Sequence, residues 1–354
     1  MRHIALAHDY FVQMGGAERV AAAWASHFGS STISTLAYDQ RNTFSTIDPS
    51  KVKAKLYGAF WSKHLHKFLP TLPLLARSVV VDNADVALVS TSGWAHQFRY
   101  NTPTVAYVHS PARWLYAAED YKMGLSSVPR AGLYLTSNYL KQKDAPAMGR
   151  MDRLISNSVV TQERIWSAYG VDSEVVSPPV SPIAAQATAP ARPLPDQFLL
   201  IVARNRGYKR IREAAEIARK AGRALVVIGG GTEELDTPEE AVIGLGRVSD
   251  GELKWLYQHA DVLLATGRED FGLTVLEANL EGTPVVGIPS GGYLETIKPG
   301  VNGQLTSSQD LDSFGPAIFD ALKVPANSCR QWATKFSLEN HLTKLEEVMD
   351  DVAS

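Results

Sequence analysis

The sequence predicts an α/β protein of two doubly wound domains, each a parallel sheet covered by helices on both faces. Short apolar runs of strand length alternate with helical patterns from one end of the chain to the other, the pattern of parallel strands joined by helical crossovers. The alternation stops once, over the Pro- and Ala-rich segment Ser181–Asp196, and then restarts. At 354 residues, 45% hydrophobic and 20% charged, the chain is long enough for two cores.

In the first half the expected strands are His3–Ala7, Thr32–Leu36, Val86–Ser90, Val105–Val108, Leu154–Ser156 and Glu174–Val176. A helix is expected to start near Ala17, directly after Gly15 and Gly16. In the second half the strands are Phe198–Ala203, Ala224–Gly229, Ala241–Gly246, Asp261–Thr266 and Pro284–Ile288. Ser249 and Glu252 form a capping box opening the helix before Asp261. Leu273–Leu280 has apolar residues at helical spacing, and a last helix runs from about Phe336 to Val352. The expected organisation is a first domain over 1–182, a linker over 183–196, a second domain over 197–335 and a C-terminal helix over 336–354. Two such domains place the carboxyl ends of their strands, and hence their binding loops, around one shared cleft.

A formal net charge of −2 supplies no global field for nucleic acid, so any anion site must be local. One cysteine, Cys329, excludes an internal disulfide and a cysteine-based metal cluster. No H-E-x-x-H, Cys–His cluster or Asp-rich run points to a metal, and no G-x-S-x-G elbow to acyl chemistry. The MRHIALAHDY start lacks the features of a signal peptide, and no apolar run approaches about 18 residues, so the expectation is a cytoplasmic protein that does not span a membrane.

The stretch Arg268–Val286 carries the most chemistry. Glu269 falls in the loop at the end of the Asp261–Thr266 strand, and Glu277 about one turn into the following helix. The backbone N–H groups around Phe271, Gly272 and Leu273 precede the first helical hydrogen bonds, which together with the helix dipole makes an anion site. Gly272 allows close approach of a ligand. Amides for a phosphate and two carboxylates for vicinal hydroxyls suit a nucleotide-sugar; two solvated Glu on a surface helix are the plain alternative.

Gly15 and Gly16 occupy the phosphate-turn position of a doubly wound domain, where they serve either a diphosphate or sugar, or simply a tight turn. Arg204 ends a strand and Lys209 opens the next helix, so the pair either neutralises a leaving diphosphate or forms a solvated basic turn. His109 ends a buried strand and is either a ligand contact or a core histidine. Gly229–Gly231 lacks the G-x-G-x-x-G spacing and reads as a turn. From Pro49 to Val81 there are six basic residues, among them Lys63 and Lys67, with Trp61 and other apolar residues interleaved. Such a segment can lie on an anionic membrane, or its apolar side can be core and its lysines merely solvated.

Together these residues resemble the retaining glycosyltransferases of family 4, whose GT-B fold pairs two Rossmann-like doubly wound domains facing a central cleft. HDYFVQMGGAERV is similar to that family's first Gly-rich loop, Arg204 with Tyr208–Arg210 to its phosphate-binding arginine and lysine, and Glu269 with Glu277 to its Glu-x7-Glu signature. YVHSPARWLY, FLPTLPLLAR and EDFGLTVLEA are closest to bacterial O-antigen and polysaccharide mannosyltransferases. The usual GRL is here ARNRG, and the frequent HTP is HSP.

The resemblance implies a metal-independent hexosyltransferase of cell-surface polysaccharide synthesis, needing no cofactor beyond its donor substrate, GDP-mannose or another nucleotide-diphosphate hexose. Arg204 and Lys209 would stabilise the departing diphosphate, and Gly15 and Gly16 would approach the donor. Glu277 would hold the ribose. Glu269 with the Phe271, Gly272 and Leu273 backbone would hold the sugar, and His109 would touch it near the reaction centre. Arg247, Val248 and Asp250 would line the base pocket. The acceptor would be a glycan or a polyprenyl-linked sugar, with Trp61, Lys63 and Lys67 on the acceptor side and the protein peripheral on the inner membrane face. Rival functions are a UDP-glucose-type hexosyltransferase, a nucleotide-sugar epimerase and a non-catalytic binder of the same fold.

Overall fold

The computed structural model describes residues 2–29, 32–68, 71–116, 127–203, 211–237 and 241–353. It divides into two compact units, Met1–Pro178 with His341–Ser354, and Pro179–Asn340. The Pro- and Ala-rich segment belongs to the second unit, where Thr188 N donates to Gly251 O (3.0 Å) and Lys254 Nζ to Ile183 O (2.9 Å).

The N-terminal unit contains β1 (Ile4–Phe11), β2 (Ile33–Tyr38), β3 (Val52–Tyr57), β4 (Val80–Val81), β5 (Val86–Thr91), β6 (Arg99–Tyr100), β7 (Thr104–Val108), β8 (Arg153–Ser156) and β9 (Glu174–Val175). Seven of them form one parallel sheet in the order β3-β2-β1-β5-β7-β8-β9, and β4 pairs with β6 apart from it. The chain winds outward from β1 in one direction and then from β5 in the other, which makes the β1/β5 boundary the topological switch point. The central strands β5 and β7 are wholly buried, as strands covered on both faces must be.

The C-terminal unit contains β10 (Phe198–Val202), β11 (Ala224–Ile228), β12 (Val242–Gly246), β13 (Val262–Ala265), β14 (Val285–Gly287) and β15 (Gly303–Leu305). All pair in parallel, in the order β12-β11-β10-β13-β14-β15, with the switch point between β10 and β13. This too is the doubly wound arrangement. Its core is the apolar residues of these strands together with Ile211, Ala214 and Ile217 of helix Ile211–Lys220 and Leu256 and Tyr257 of helix Asp250–His259.

Two strands of the two large sheets, β3 and β15, are not evident in the sequence, and neither are the paired β4 and β6. β15 is three residues long and begins with glycine, so it has no apolar run to announce it. β3 is an edge strand in which Lys53 and Lys55 are exposed, a charged edge that discourages pairing with another chain. The basic stretch Pro49–Val81 is therefore not one amphipathic element. It is a turn, the β3 edge, helix Ala59–His64, the 3-10 turn Leu65–Phe68, helix Leu72–Ala76 with Leu72, Pro73 and Ala76 buried, and β4.

The last helix, Leu338–Ala353, docks within the N-terminal unit through buried Leu342, Leu345, Val348 and Met349. Its anchor is His341. Trp24 Nε1 donates to His341 Nε2 (2.9 Å), so the ring hydrogen resides on Nδ1, which faces Ser177 O at 2.8 Å. The two rings stack with centroids 5.9 Å apart and planes 6° apart, and the Tyr107 ring meets His341 edge-on at 5.6 Å. Burial lowers the His341 pKa to about 4.

This arrangement makes acid sensitivity predictable. A histidine whose folded pKa lies below its unfolded value of 6.5 contributes stability that is complete above pH 6.5 and is lost as pH falls toward 4, because the unfolded chain takes up the proton first. The His341 contribution is on the order of 3 kcal/mol. Thermal midpoints measured from pH 7 to 4 should fall for the wild type and fall distinctly less for His341→Gln; parallel curves would exclude this anchor.

Candidate functional site

At the switch point of the C-terminal sheet, β10 leads through Ala203 toward Arg204 and Lys209, both outside the described residues, and β13 leads into the loop 266–272. That loop lies on a second one. Gly292 N donates to Glu269 O (3.0 Å), and a Cβ on Gly292 would stand 2.5 Å from Asp270 O and collide with Phe271 Cα. Gly291 adopts φ +64°, where a Cβ would strike Glu269 O. Only a pair of glycines lets the two loops touch backbone to backbone. Gly272 is in the left-handed region (φ +93°) at the head of helix Leu273–Glu281, with the Tyr293 ring 2.9 Å from where its Cβ would be.

Phe271 is buried against Val180 and Leu276 and meets the Phe336 ring edge-on at 5.8 Å. With that side chain held, the amides at the start of helix Leu273–Glu281 are presented from a fixed backbone. Glu277 is half-buried one turn in, and its carboxylate accepts a hydrogen bond from Tyr257 Oη (3.0 Å) on helix Asp250–His259. The helix is itself tied down: Asn279 Nδ2 donates to Thr283 O (2.9 Å) and Asn302 O (3.1 Å), and Asn302 Nδ2 returns to Asn279 Oδ1 (2.6 Å). The structure thus brings Glu269, Phe271, Gly272, Leu273 and Glu277 into one strand–loop–helix junction. Tyr257, Gly291 and Gly292 belong to it as well and are not among the site residues read from the sequence, because each is distant in the chain and acts by contact.

Arg247, Val248 and Asp250 follow β12, on the same carboxyl edge of the sheet. Arg247 is exposed and lies along Gly230, its Nε 3.3 Å from where a Cβ would be. Val248 packs partly against the core. Ser249 caps the helix in a reciprocal box with Glu252, whose carboxylate accepts from Ser249 N at 2.8 Å. Asp250, the next residue, is exposed beside this box.

In the N-terminal unit, Gly15 caps helix Gly16–His27 in extended conformation. A Cβ on Gly15 would strike the carboxylate of Glu18, which is buried and accepts from Gln13 Nε2 (2.8 Å). A carboxylate over this turn favours a hydroxyl-bearing group over a diphosphate, since like charges repel. His109 follows β7 with only 8% exposure, its N bonded to Thr91 O (2.9 Å) and its O to Asn157 Nδ2 (3.0 Å). Ser90 Oγ lies 2.8 Å from His109 Nε2 and 2.8 Å from His8 Nδ1. Burial chiefly lowers both pKa values, to about 3 for His109 and about 4 for His8, so both rings are neutral at physiological pH. Beside them, Asp9 is buried and accepts from Thr91 Oγ1 (3.1 Å), Ser92 N (2.6 Å), Trp94 N (2.8 Å) and Ala95 N (2.7 Å). Burial raises its carboxyl, but the neighbouring His8 and these backbone donors outweigh it and hold the pKa below the ordinary value. Trp61 is half-buried and Lys63 exposed on helix Ala59–His64, whereas the Lys67 side chain is outside the described residues.

The loop contact yields a test. Gly292→Ala should cost about 1–3 kcal/mol, since the backbone it meets cannot swing aside. Gly300→Ala, at φ +76° in open space, should cost only about 1 kcal/mol of backbone strain. Thermal unfolding of the two variants compares them; equal shifts would mean that the loops are not in the described contact.

Residues 185–336 match the family described as Glycosyl transferases group 1. A D-inositol 3-phosphate glycosyltransferase of Mycolicibacterium paratuberculosis is 26% identical over 265 residues, 66% of this chain and 56% of that protein. The alpha-1,3/1,6-mannosyltransferase ALG2 of Yarrowia lipolytica is 32% identical over 98 residues, 26% of this chain and 21% of that one. The matched region of this chain spans between 21% and 60% of the length of such curated relatives. The Anabaena HepE structure in complex with UDP superposes with a TM-score of 0.69 over 99% of this chain and 100% of its own, at 17% identity. Two parallel doubly wound sheets and the likeness to solved structures lead to one conclusion: the fold is GT-B, and its residues 185–336 match the group 1 glycosyltransferase family.

Proposed function

We propose that this chain is a retaining hexosyltransferase of family 4 that moves mannose from GDP-mannose to a glycan or polyprenyl-linked acceptor in the assembly of cell-surface polysaccharide. The observation that carries the reading is the junction at the C-terminal switch point, where Glu269 and Glu277 flank the first amides of helix Leu273–Glu281 and Tyr257 orients the Glu277 carboxylate. In this reading Glu277 holds the ribose hydroxyls, Glu269 the sugar, and the Phe271–Leu273 backbone the phosphates. Arg204 and Lys209 stabilise the charge on the departing diphosphate, and the reaction proceeds without a metal or a covalent intermediate, by positioning and charge stabilisation. Mannose is favoured by the naming of the Yarrowia relative as a mannosyltransferase. Guanine is favoured by Asp250, exposed at the start of helix Asp250–His259 and able to accept from the guanine N1–H and amino group.

A second donor, UDP-glucose, is favoured by one observation: the Anabaena HepE fold neighbour has also been solved with UDP-glucose, at 17% identity and a TM-score of 0.66. One set of experiments separates the readings. Slow hydrolysis of GDP-mannose should release mannose of the donor's own anomeric configuration, followed by NMR. Calorimetry should find GDP tighter than UDP, with Asp250→Ala weakening GDP about 10- to 100-fold. Inverted product or an epimerised donor would end the retaining-transferase reading. Tighter UDP, or GDP binding indifferent to Asp250→Ala, would replace guanine by uracil and leave the transferase standing.

We also propose that the protein works at the cytoplasmic membrane face, where a polyprenyl acceptor must stay. Among the described residues no helix is long and apolar enough to cross a membrane. Phe60 and Lys63 on helix Ala59–His64, Tyr57 and Lys55 at the β3 edge, and Leu74 are exposed, which gives a surface both basic and apolar. Each basic residue near an anionic surface contributes about 1 kcal/mol, less in salt. In liposome flotation the protein should rise with anionic vesicles and not with neutral ones; no binding to either would leave these lysines a solvated face.

A further inference from the structure

His109 has two ring nitrogens with different surroundings. Nε2 faces the Ser90 hydroxyl at 2.8 Å. Nδ1 has no protein partner among the described residues, and the residue keeps 8% of its surface exposed. What a ligand meets there, an N–H or a lone pair, depends on which way the Ser90 O–H points.

That direction is set one residue further in. His8 Nδ1 lies 2.8 Å from the same Ser90 Oγ, and His8 Nε2 is buried without a hydrogen-bond partner. His8 is neutral and carries one ring hydrogen. Placed on Nε2, that hydrogen would be a buried donor with no acceptor, the more costly kind of orphan. Placed on Nδ1, it is donated to Ser90 Oγ, which leaves only a bare nitrogen unpaired. Ser90 then has its single O–H free to donate to His109 Nε2, and the His109 hydrogen must be on Nδ1. His8 and Ser90 face each other across β1 and β5, and the His109 backbone is bonded on both sides, so the chain of three residues is rigid.

We propose that Ser90 and His8 are positioning residues that fix His109 as the Nδ1–H tautomer, so that it offers the donor sugar a hydrogen-bond donor. The sugar contact rests on the transferase reading; the tautomer does not. Burial keeps both rings uncharged over the working pH range, so the donor is a neutral N–H, suited to a sugar hydroxyl rather than to a phosphate.

Long-range proton–nitrogen correlation NMR of the full chain, labelled with nitrogen-15 at histidine, reads the tautomer directly. His109 signals are identified by their loss in His109→Gln. The wild type should show His109 protonated at Nδ1 alone. Ser90→Ala, which removes the relay, and His8→Phe, which frees the Ser90 hydroxyl to turn, should each produce a tautomer mixture, with turnover of GDP-mannose falling in proportion to the lost Nδ1–H fraction. Wild-type His109 protonated at Nε2, a mixture in the wild type, or an unchanged tautomer in Ser90→Ala would overturn the proposal. The wild-type spectrum needs no variant to fold, and a protein that shows the Nδ1–H tautomer but turns over no nucleotide-hexose would refute the transferase reading and not the relay.

Discussion

The N-terminal unit depends on one buried carboxylate. At its switch point β1 and β5 run side by side while their connections leave to opposite faces, which opens the backbone just beyond the strands. Asp9 fills that opening and accepts from Thr91, Ser92, Trp94 and Ala95. A charge taken out of water at this depth is tolerated only when so fully hydrogen-bonded. Its presence fixes where β5 ends and where the turn carrying His96 begins. From there the polar contacts continue inward: Thr91 Oγ1 lies 3.0 Å from His96 Nδ1, and His96 Nε2 lies 2.8 Å from Asp144, which also accepts from Gln97 and Tyr169.

The C-terminal unit solves the same geometric problem differently. Beyond β13, Gly291 and Gly292 bring one loop into backbone contact with the loop that carries Glu269 and the buried Asp270. The difference has a chemical consequence. A loop held by backbone contacts presents the amides at the head of helix Leu273–Glu281 from a fixed backbone. In the N-terminal unit the corresponding turn at Gly15 is lined by the carboxylate of Glu18. The two carboxyl edges therefore offer unlike chemistry, amides with acids in one and a neutral histidine with a buried acid in the other.

The proposed reaction needs little more than this. Transfer of a sugar from a diphosphate to a hydroxyl asks for a held sugar and a neutralised leaving group, and the described residues supply rigid hydrogen-bonding groups for the first of these. His109 fits that economy, since a ring kept neutral by burial can donate without competing for the phosphates.

Much of this architecture was legible in the chain. Parallel strands buried on both faces must be continuously apolar, so β5, β7, β10, β11 and β13 are readable as short runs of Val, Leu, Ile and Ala, and the Ser249–Glu252 box marks a helix start by its own local hydrogen bonds. The Glu269/Glu277 spacing was readable for the same reason, being set by one loop and one turn of helix. What only the tertiary structure decided was whatever lacks such a local cause. β3 and β15 exist because a neighbouring strand offers them hydrogen bonds, not because their own residues favour a strand. Tyr257 reaches Glu277 from 20 residues away, Ser90 reaches His109 across 19, and Trp24 reaches His341 across 317. Local spacing determines where a functional side chain stands, but its partner, its protonation and its burial depend on residues that only folding brings near.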